Sequence, residues 1–171
     1  VVACDENLSP ELRLKLVAQI ASASGTTKGM VAGQQLDLEA EGQTISIEEL
    51  ENIHARKTGA LISISAIAGA LIAGASAAEI SAVELYASKI GLLFQITDDL
   101  LDVTQATETL GKTAGKDAVA EKATYPGHFG IDATREMADN VRREAAAALD
   151  SIDRDTGLLL EFADLIADRS K

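Results

Sequence analysis

The chain has 171 residues, with 15 Lys+Arg against 27 Asp+Glu for a formal net charge of −12. That balance excludes a protein that neutralises nucleic-acid phosphates or adheres to an anionic membrane through bulk charge, and the single cysteine, Cys4, excludes an internal disulfide or a Cys-based zinc cluster and fits a reducing compartment. Hydrophobic residues make up 47%, enough for a core, whereas aromatics are only 3% and prolines two, which implies one domain built from helices rather than a sheet.

The chain opens on Val1 with no charged stretch followed by an apolar one, so no secretory signal is read, and the missing Met predicts that residues precede it in the native protein. Ser9-Pro10-Glu11 predicts a helix start, with Ser as N-cap and Pro at the first helical position; Leu12, Leu14, Leu16, Val17 and Ile20 carry that helix to near Gly25. A second helix is predicted from about Lys28 to Glu39. Ser46 and Glu49 form an S-x-x-E capping box that opens a helix into the uncharged run Thr58–Ala78. By count that run could cross a bilayer. Its Ser, Thr and Gly content and the turn-like Gly74-Ala75-Ser76 favour instead a central helix buried on most sides.

Ser76 and Glu79 repeat the capping box and open a helix with Ile80, Val83, Leu85, Ile90, Leu92, Leu93, Ile96, Leu100 and Leu101 as its apolar positions. From Thr104 to Gly130 the pattern breaks into Thr, Gly, Lys and Pro, which predicts a long ordered loop with at most a short helix. Asp132–Ile152 and Leu158–Ala167 return to helical spacing. No strand pattern and no repeat of fixed period is present, so the predicted fold class is all-α.

Phe94-Gln95-Ile96-Thr97-Asp98-Asp99-Leu100-Leu101-Asp102 carries the sharpest chemical signal. Asp98 and Asp102 are four apart on one helix face with Gln95 beside them, and no adjacent Lys or Arg offsets the paired charge. A hard divalent cation would, because Mg²⁺ is commonly held by one or two carboxylates plus phosphate oxygens; a solvated acidic face is the equal alternative on spacing alone. Lys112, Lys116 and Lys122 follow within a Gly-containing stretch and are either point-charge phosphate binders or ordinary solvated lysines. Gly111-Lys112-Thr113 is not a Walker A loop, since the earlier glycine is Ala106 and no strand precedes it. Upstream, Lys57 and Thr58 sit where the polar start of a helix becomes its apolar body. Glu51-x-x-His54 has no second copy to complete a di-iron site, so His54 reads as a structural hydrogen-bonder. Gln34 and Asp37 share a face beside apolar residues, where helix capping or inter-helix hydrogen bonding would account for them.

Taken in order, these segments resemble the trans-type polyprenyl synthetases, the family of farnesyl and geranylgeranyl diphosphate synthases. The matching pieces are GQQLD at 33–37, HARKTG at 54–59, GLLFQITDDLLD at 91–102, LGKTAGKD at 110–117 and EKATYP at 121–126, and the likeness extends in outline through the last helix. The third and fourth look most like geranylgeranyl-type members. Family members are longer and carry a first D-D-x-x-D motif, followed by paired arginines, on an earlier helix. Here the one D-D-x-x-D is at 98–102, and Arg142-Arg143 follows no such motif. The resemblance therefore implies that 1–171 is the C-terminal portion of a single all-α domain of the isoprenoid synthase type, an antiparallel bundle lacking its N-terminal helices.

The resemblance further implies condensation of isopentenyl diphosphate with an allylic diphosphate, through Mg²⁺-assisted ionisation, to a longer all-trans polyprenyl diphosphate. Asp98 and Asp102 would hold the metal with Asp99 assisting. Lys57, Lys112 and Lys122 would contact diphosphate oxygens, and Thr58 and Gln95 would turn oxygen dipoles toward the cation. Gln34, Asp37, Lys116 and Asp117 are secondary candidates. A cytoplasmic location, no nucleic-acid partner, no integral membrane span, and pairing with a second copy or with an N-terminal half are implied as well, the fragment alone being inactive. The alternatives are a non-catalytic regulatory subunit of a heteromeric prenyl synthase and a class I terpene cyclase-like protein.

Overall fold

In the computed structural model, residues 1–120 and 123–169 are described, with side chains for 1–105 and 123–169. After a 3₁₀ turn at Val2–Cys4, the helices are α1 (Pro10–Ser24), α2 (Met30–Ala40), α3 (Ile47–His54), a π-helical turn at Ala55–Gly59, α4 (Ala60–Ile72), α5 (Ala77–Ala120), α6 (Tyr125–Phe129), α7 (Ile131–Ala148) and α8 (Gly157–Asp168). Among the described residues there is no strand.

The start signals act as predicted. Ser9 Oγ accepts the Leu12 N–H ahead of Pro10. Both capping boxes close: Ser46 with Glu49, and Ser76 with Glu79, each exchange a side-chain acceptor for the other's backbone donor. A turn at Gly74 ends the apolar run of α4.

Two expectations are corrected. The loop predicted from Thr104 is helical as far as Ala120, since α5 continues past its last apolar stripe residue, and the short helix that the sequence allowed is α6, ahead of α7. The uncharged helix is also not buried on most sides: Ile64 is the buried residue of α4, and Ile72 is 51% exposed. Within this chain α4 packs on α1, the π turn and α5, and one face carrying Ser65, Gly69 and Ile72 is exposed. That outcome follows from what surrounds the helix, which its own composition does not encode.

α5 takes the central place instead. Tyr86, Ile90, Leu93, Ile96 and Leu100 are each 2% exposed or less and pack against Ala138, Val141 and Ala145 of α7 and Ala163 and Ile166 of α8. Burying each such Leu or Ile contributes on the order of 1.5–3 kcal/mol. Thr97 enters this core without an orphaned hydroxyl by donating back to the Leu93 carbonyl at 3.0 Å. The N-terminal helices are docked through glycines. A Cβ on Gly33 would sit 2.2 Å from the Lys57 nitrogen, so α2 lies directly on the π-turn backbone, and a Cβ on Gly91 would sit 3.0 Å from Gly59 Cα. Those two approaches place the π turn between α2 and α5.

Candidate functional site

The π turn carries Lys57 and Thr58, and the glycine contacts decide what each meets. Lys57 Nζ donates to Asp37 Oδ2 at 2.6 Å, with both side chains partly buried. Thr58 Oγ1 donates to Gln95 Oε1 at 2.5 Å, linking the turn to the middle of α5. A π turn within a longer helix shifts the register of the residues after it and often marks a functional position; here it lets consecutive residues reach α2 and α5.

Along α5 the polar face continues from Gln95, 8% exposed, to Asp98 and Asp102, three and seven residues on. Asp98 is half-exposed and Asp102 exposed. Arg169, at the end of α8, donates to Asp98 Oδ1 at 3.4 Å and lies 4.7 Å over the Phe94 ring. Such a long, solvent-facing ion pair contributes little, on the order of 0–1 kcal/mol, so a stronger cation could displace it. Among the described residues no three His, Cys, Asp or Glu side chains cluster as a ready-made metal cage. Two carboxylates on adjacent turns with an open side do fit an oxygen-seeking divalent ion whose remaining ligands come from phosphate and water.

Beside this polar face lies an apolar cleft of about 400 Å³, lined by Leu61 and Ile62 of α4, Ile90 and Phe94 of α5, and Phe162 and Ile166 of α8. Phe94 belongs to both: its ring edges the cleft, and Asp98 follows one turn later. The Tyr86 hydroxyl, donating to the Leu159 carbonyl at 2.7 Å, ties α8 to α5 at the other end. Burial pushes that phenol up to about 12.

The structure thus joins Asp37 to Lys57 and Thr58 to Gln95, with Asp98 one turn beyond. Gln34 is half-buried on α2 next to Gly33. Asp99 is directed elsewhere: it is 2% exposed and accepts the Tyr125 N–H at 2.9 Å. Lys112, Lys116, Asp117 and Lys122 lie outside the residues whose side chains are described. His54 is buried and packs its ring 5.6 Å from that of Tyr125. The Tyr125 hydroxyl, buried near Glu51 and Asp99, is held well above the usual tyrosine range by desolvation and by those two charges. Sequence reasoning missed Arg169 and the roles of Gly33, Gly59 and Gly91. The glycines sit inside the recognisable segments, but their spacing signals nothing about which backbone they must approach.

A sequence model of the family described as polyprenyl synthetase matches residues 8–154. Geranylgeranyl pyrophosphate synthase 11, chloroplastic, of Arabidopsis thaliana is 46% identical over 166 residues, covering 95% of this chain and 46% of that protein. The heterodimeric geranylgeranyl pyrophosphate synthase large subunit 1, chloroplastic, of the same plant is 45% identical over 166 residues, covering 95% of this chain and 44% of that one. The chain spans about half the length of the curated relatives it matches. Among solved structures, a geranyltransferase from Helicobacter pylori complexed with magnesium and isoprenyl diphosphate superposes with a TM-score of 0.76 at 28% identity, over 98% of this chain and 54% of that one.

Proposed function

This chain belongs to the polyprenyl synthetase family, and from that premise we propose that it forms the C-terminal portion of a prenyltransferase site that condenses isopentenyl diphosphate with an allylic diphosphate. The observation that carries the reading is at Phe94 of α5, whose ring lines a cleft fit for hydrocarbon while Gln95, tied to Thr58, and Asp98 follow within one turn. An amphiphile with a diphosphate head and an isoprenoid tail has that division.

Asp98 and Asp102 would hold Mg²⁺, which supplies positive charge to the departing diphosphate. Lys57, poised on Asp37, would add a further positive charge to the same oxygens. Lys112 and Lys122 are proposed to join it, with Lys116, Asp117 and Gln34 as secondary contacts. The Thr58 oxygen keeps its lone pairs while donating to Gln95, and the two oxygens would act as a fixed dipole pair beside the developing allylic cation. Leu61, Ile62 and Phe94 would keep water from that cation. Isopentenyl addition and loss of a proton would give the longer all-trans diphosphate.

For partners, the reading is a second copy or a complementary N-terminal half, which would bring carboxylates from a facing helix; without them the 1–171 chain would not turn over. A relative named as a heterodimeric large subunit supports association with another chain. The helical run Ile47–Ile72 is long and apolar enough by length and composition to cross a membrane. We read it as non-spanning: Glu48, Glu49, Glu51, Arg56 and Lys57 occupy its first part, and the uncharged remainder from Thr58 to Ile72 reaches only about 22 Å at 1.5 Å per residue, short of a hydrocarbon core. An aqueous, reducing compartment is proposed, cytoplasmic or, as the relatives' names suggest for them, chloroplastic.

The test is the full native protein assayed for condensation with Mg²⁺, comparing wild type with Asp98→Ala. Loss of turnover by orders of magnitude is expected, since metal-held leaving-group charge develops mainly in the transition state. Unchanged turnover would remove Asp98 from the mechanism.

A further inference from the structure

The acid triplet of α5 divides by direction. Successive residues on a helix point about 100° apart, so Asp98 and Asp102 can share the open side while Asp99 faces inward. Its carboxylate is 2% exposed, and Oδ2 accepts the Tyr125 N–H at 2.9 Å. What it holds is well built: Thr124, Tyr125 and Pro126 are all buried. Thr124 Oγ1 accepts the Gly127 N–H at 3.1 Å, and the Tyr125 ring packs against His54.

We propose that Asp99 is a positioning residue, which fixes the 124–129 segment against α5 by accepting the Tyr125 amide proton, and is not a metal ligand. A carboxylate bonded to a buried backbone donor is in a strong, charge-assisted arrangement. At 2% exposure and about 100° away from Asp98 around the helix, the carboxylate would have to turn out of this buried setting to present its other oxygen to a cation beside Asp98, which would pull Oδ2 from the Tyr125 N–H. Within the EKATYP motif, Thr124, Tyr125 and Pro126 are the anchor. The anchor stands without the prenyl-transfer reading, and only the pyrophosphate arm of the test rests on that reading.

The test combines hydrogen exchange at the Tyr125 amide with binding of Mg²⁺ and inorganic pyrophosphate to the full native protein. In wild type the amide should exchange slowly without metal and remain slow when both are added. Asp99→Asn keeps an acceptor oxygen but loses the charge. It should weaken Tyr125 protection only in part and leave half-saturating Mg²⁺ within about twofold, whereas Asp98→Asn raises the Mg²⁺ requirement about tenfold or more. Asp99→Ala, which keeps no acceptor, should speed Tyr125 exchange about tenfold or more, well beyond the Asn variant, and weaken pyrophosphate severalfold at an unchanged Mg²⁺ response. Loss of Tyr125 protection in wild type on adding Mg²⁺ and pyrophosphate would overturn the proposal, as would an Asp99→Asn protein as defective in Mg²⁺ binding as Asp98→Asn. If Asp99→Ala does not fold, the wild-type exchange and the Asn variant still decide. Pyrophosphate binding that is absent in wild type would count against the prenyl-transfer reading while leaving the amide result intact.

Discussion

At Gly33 the absence of one methyl group sets the position of the two polar residues after Arg56. Because a Cβ there would lie 2.2 Å from the Lys57 nitrogen and 2.6 Å from its Cα, the clash is with backbone and no rotamer relieves it. Gly33→Ala should therefore lower stability by about 1–3 kcal/mol or more, read as a reduced urea midpoint, and should loosen the Lys57–Asp37 contact; an unchanged midpoint would mean that α2 does not dock as described. Thr58→Val tests the neighbouring contact. It keeps the shape of Thr58 and removes the donor to Gln95, so a loss of about 1 kcal/mol is expected by the same denaturation measurement. In a condensation assay of the full protein, the role proposed for the oxygen pair beside the developing cation predicts that turnover falls more than affinity for the allylic diphosphate. The paired identities Lys57-Thr58, Gln95 and Asp98 were readable from the sequence, because residue type and local order carry them. Their partners were not: Asp37 lies 20 residues from Lys57 and Gln95 lies 37 from Thr58, and only packing chooses among the acids and amides available.

Among the elements, α8 is held to α5 by the Tyr86 hydroxyl and by Ile166 in the core. Burial raises the Tyr86 phenol from 10.0 to about 12, so the folded state keeps its proton where the unfolded chain has lost it. The associated stability is complete below pH 10 and declines as the pH rises toward 12. Alkaline unfolding followed by circular dichroism, with tyrosinate absorbance alongside, should show that decline. Tyr86→Phe should be less stable at neutral pH through loss of the Leu159 bond, yet flatter between pH 10 and 12; an equally steep Tyr86→Phe profile would assign the transition to another group. The capping boxes of α3 and α5 give a second check at this scale: Ser46→Ala or Ser76→Ala should each cost about 1 kcal/mol by chemical denaturation. Helix starts were legible because caps are local chemistry. The extent of α5 was not, since Gly and Thr lower helix propensity without forbidding a helix that flanking structure supports.

At the scale of the molecule, apolar surface is left over. On α8, Leu158, Phe162 and Leu165 recur at helical spacing and are 79%, 47% and 63% exposed, and Leu14 of α1 is 72% exposed. With Ile72 of α4 also 51% exposed, these are large apolar side chains of the kind a partner surface covers. The 171-residue chain by itself is therefore expected to sediment above its monomer mass at micromolar concentration, or to bind an apolar dye strongly. A sharp monomer without dye binding would show that these faces need no cover. Condensation by a sample whose intact mass shows residues 1–171 and no accompanying peptide would likewise overturn the reading that a facing helix from elsewhere completes the site.

The sequence by itself determined the all-α class, most of the helix starts and the family, because capping, periodicity and short motifs are properties of neighbouring residues. It also set out the acids, lysines and amide that the proposed chemistry uses. The tertiary structure decided which of them meet. It turned Asp99 inward to Tyr125 while leaving Asp98 and Asp102 outward, brought Arg169 from the far end of the chain onto Phe94 and Asp98, and made α5 rather than the more apolar α4 the buried centre. The physical reason is the same in each case. Burial and partner choice depend on which surfaces remain to be covered once every helix is placed, a sum over the whole chain that no local stretch contains.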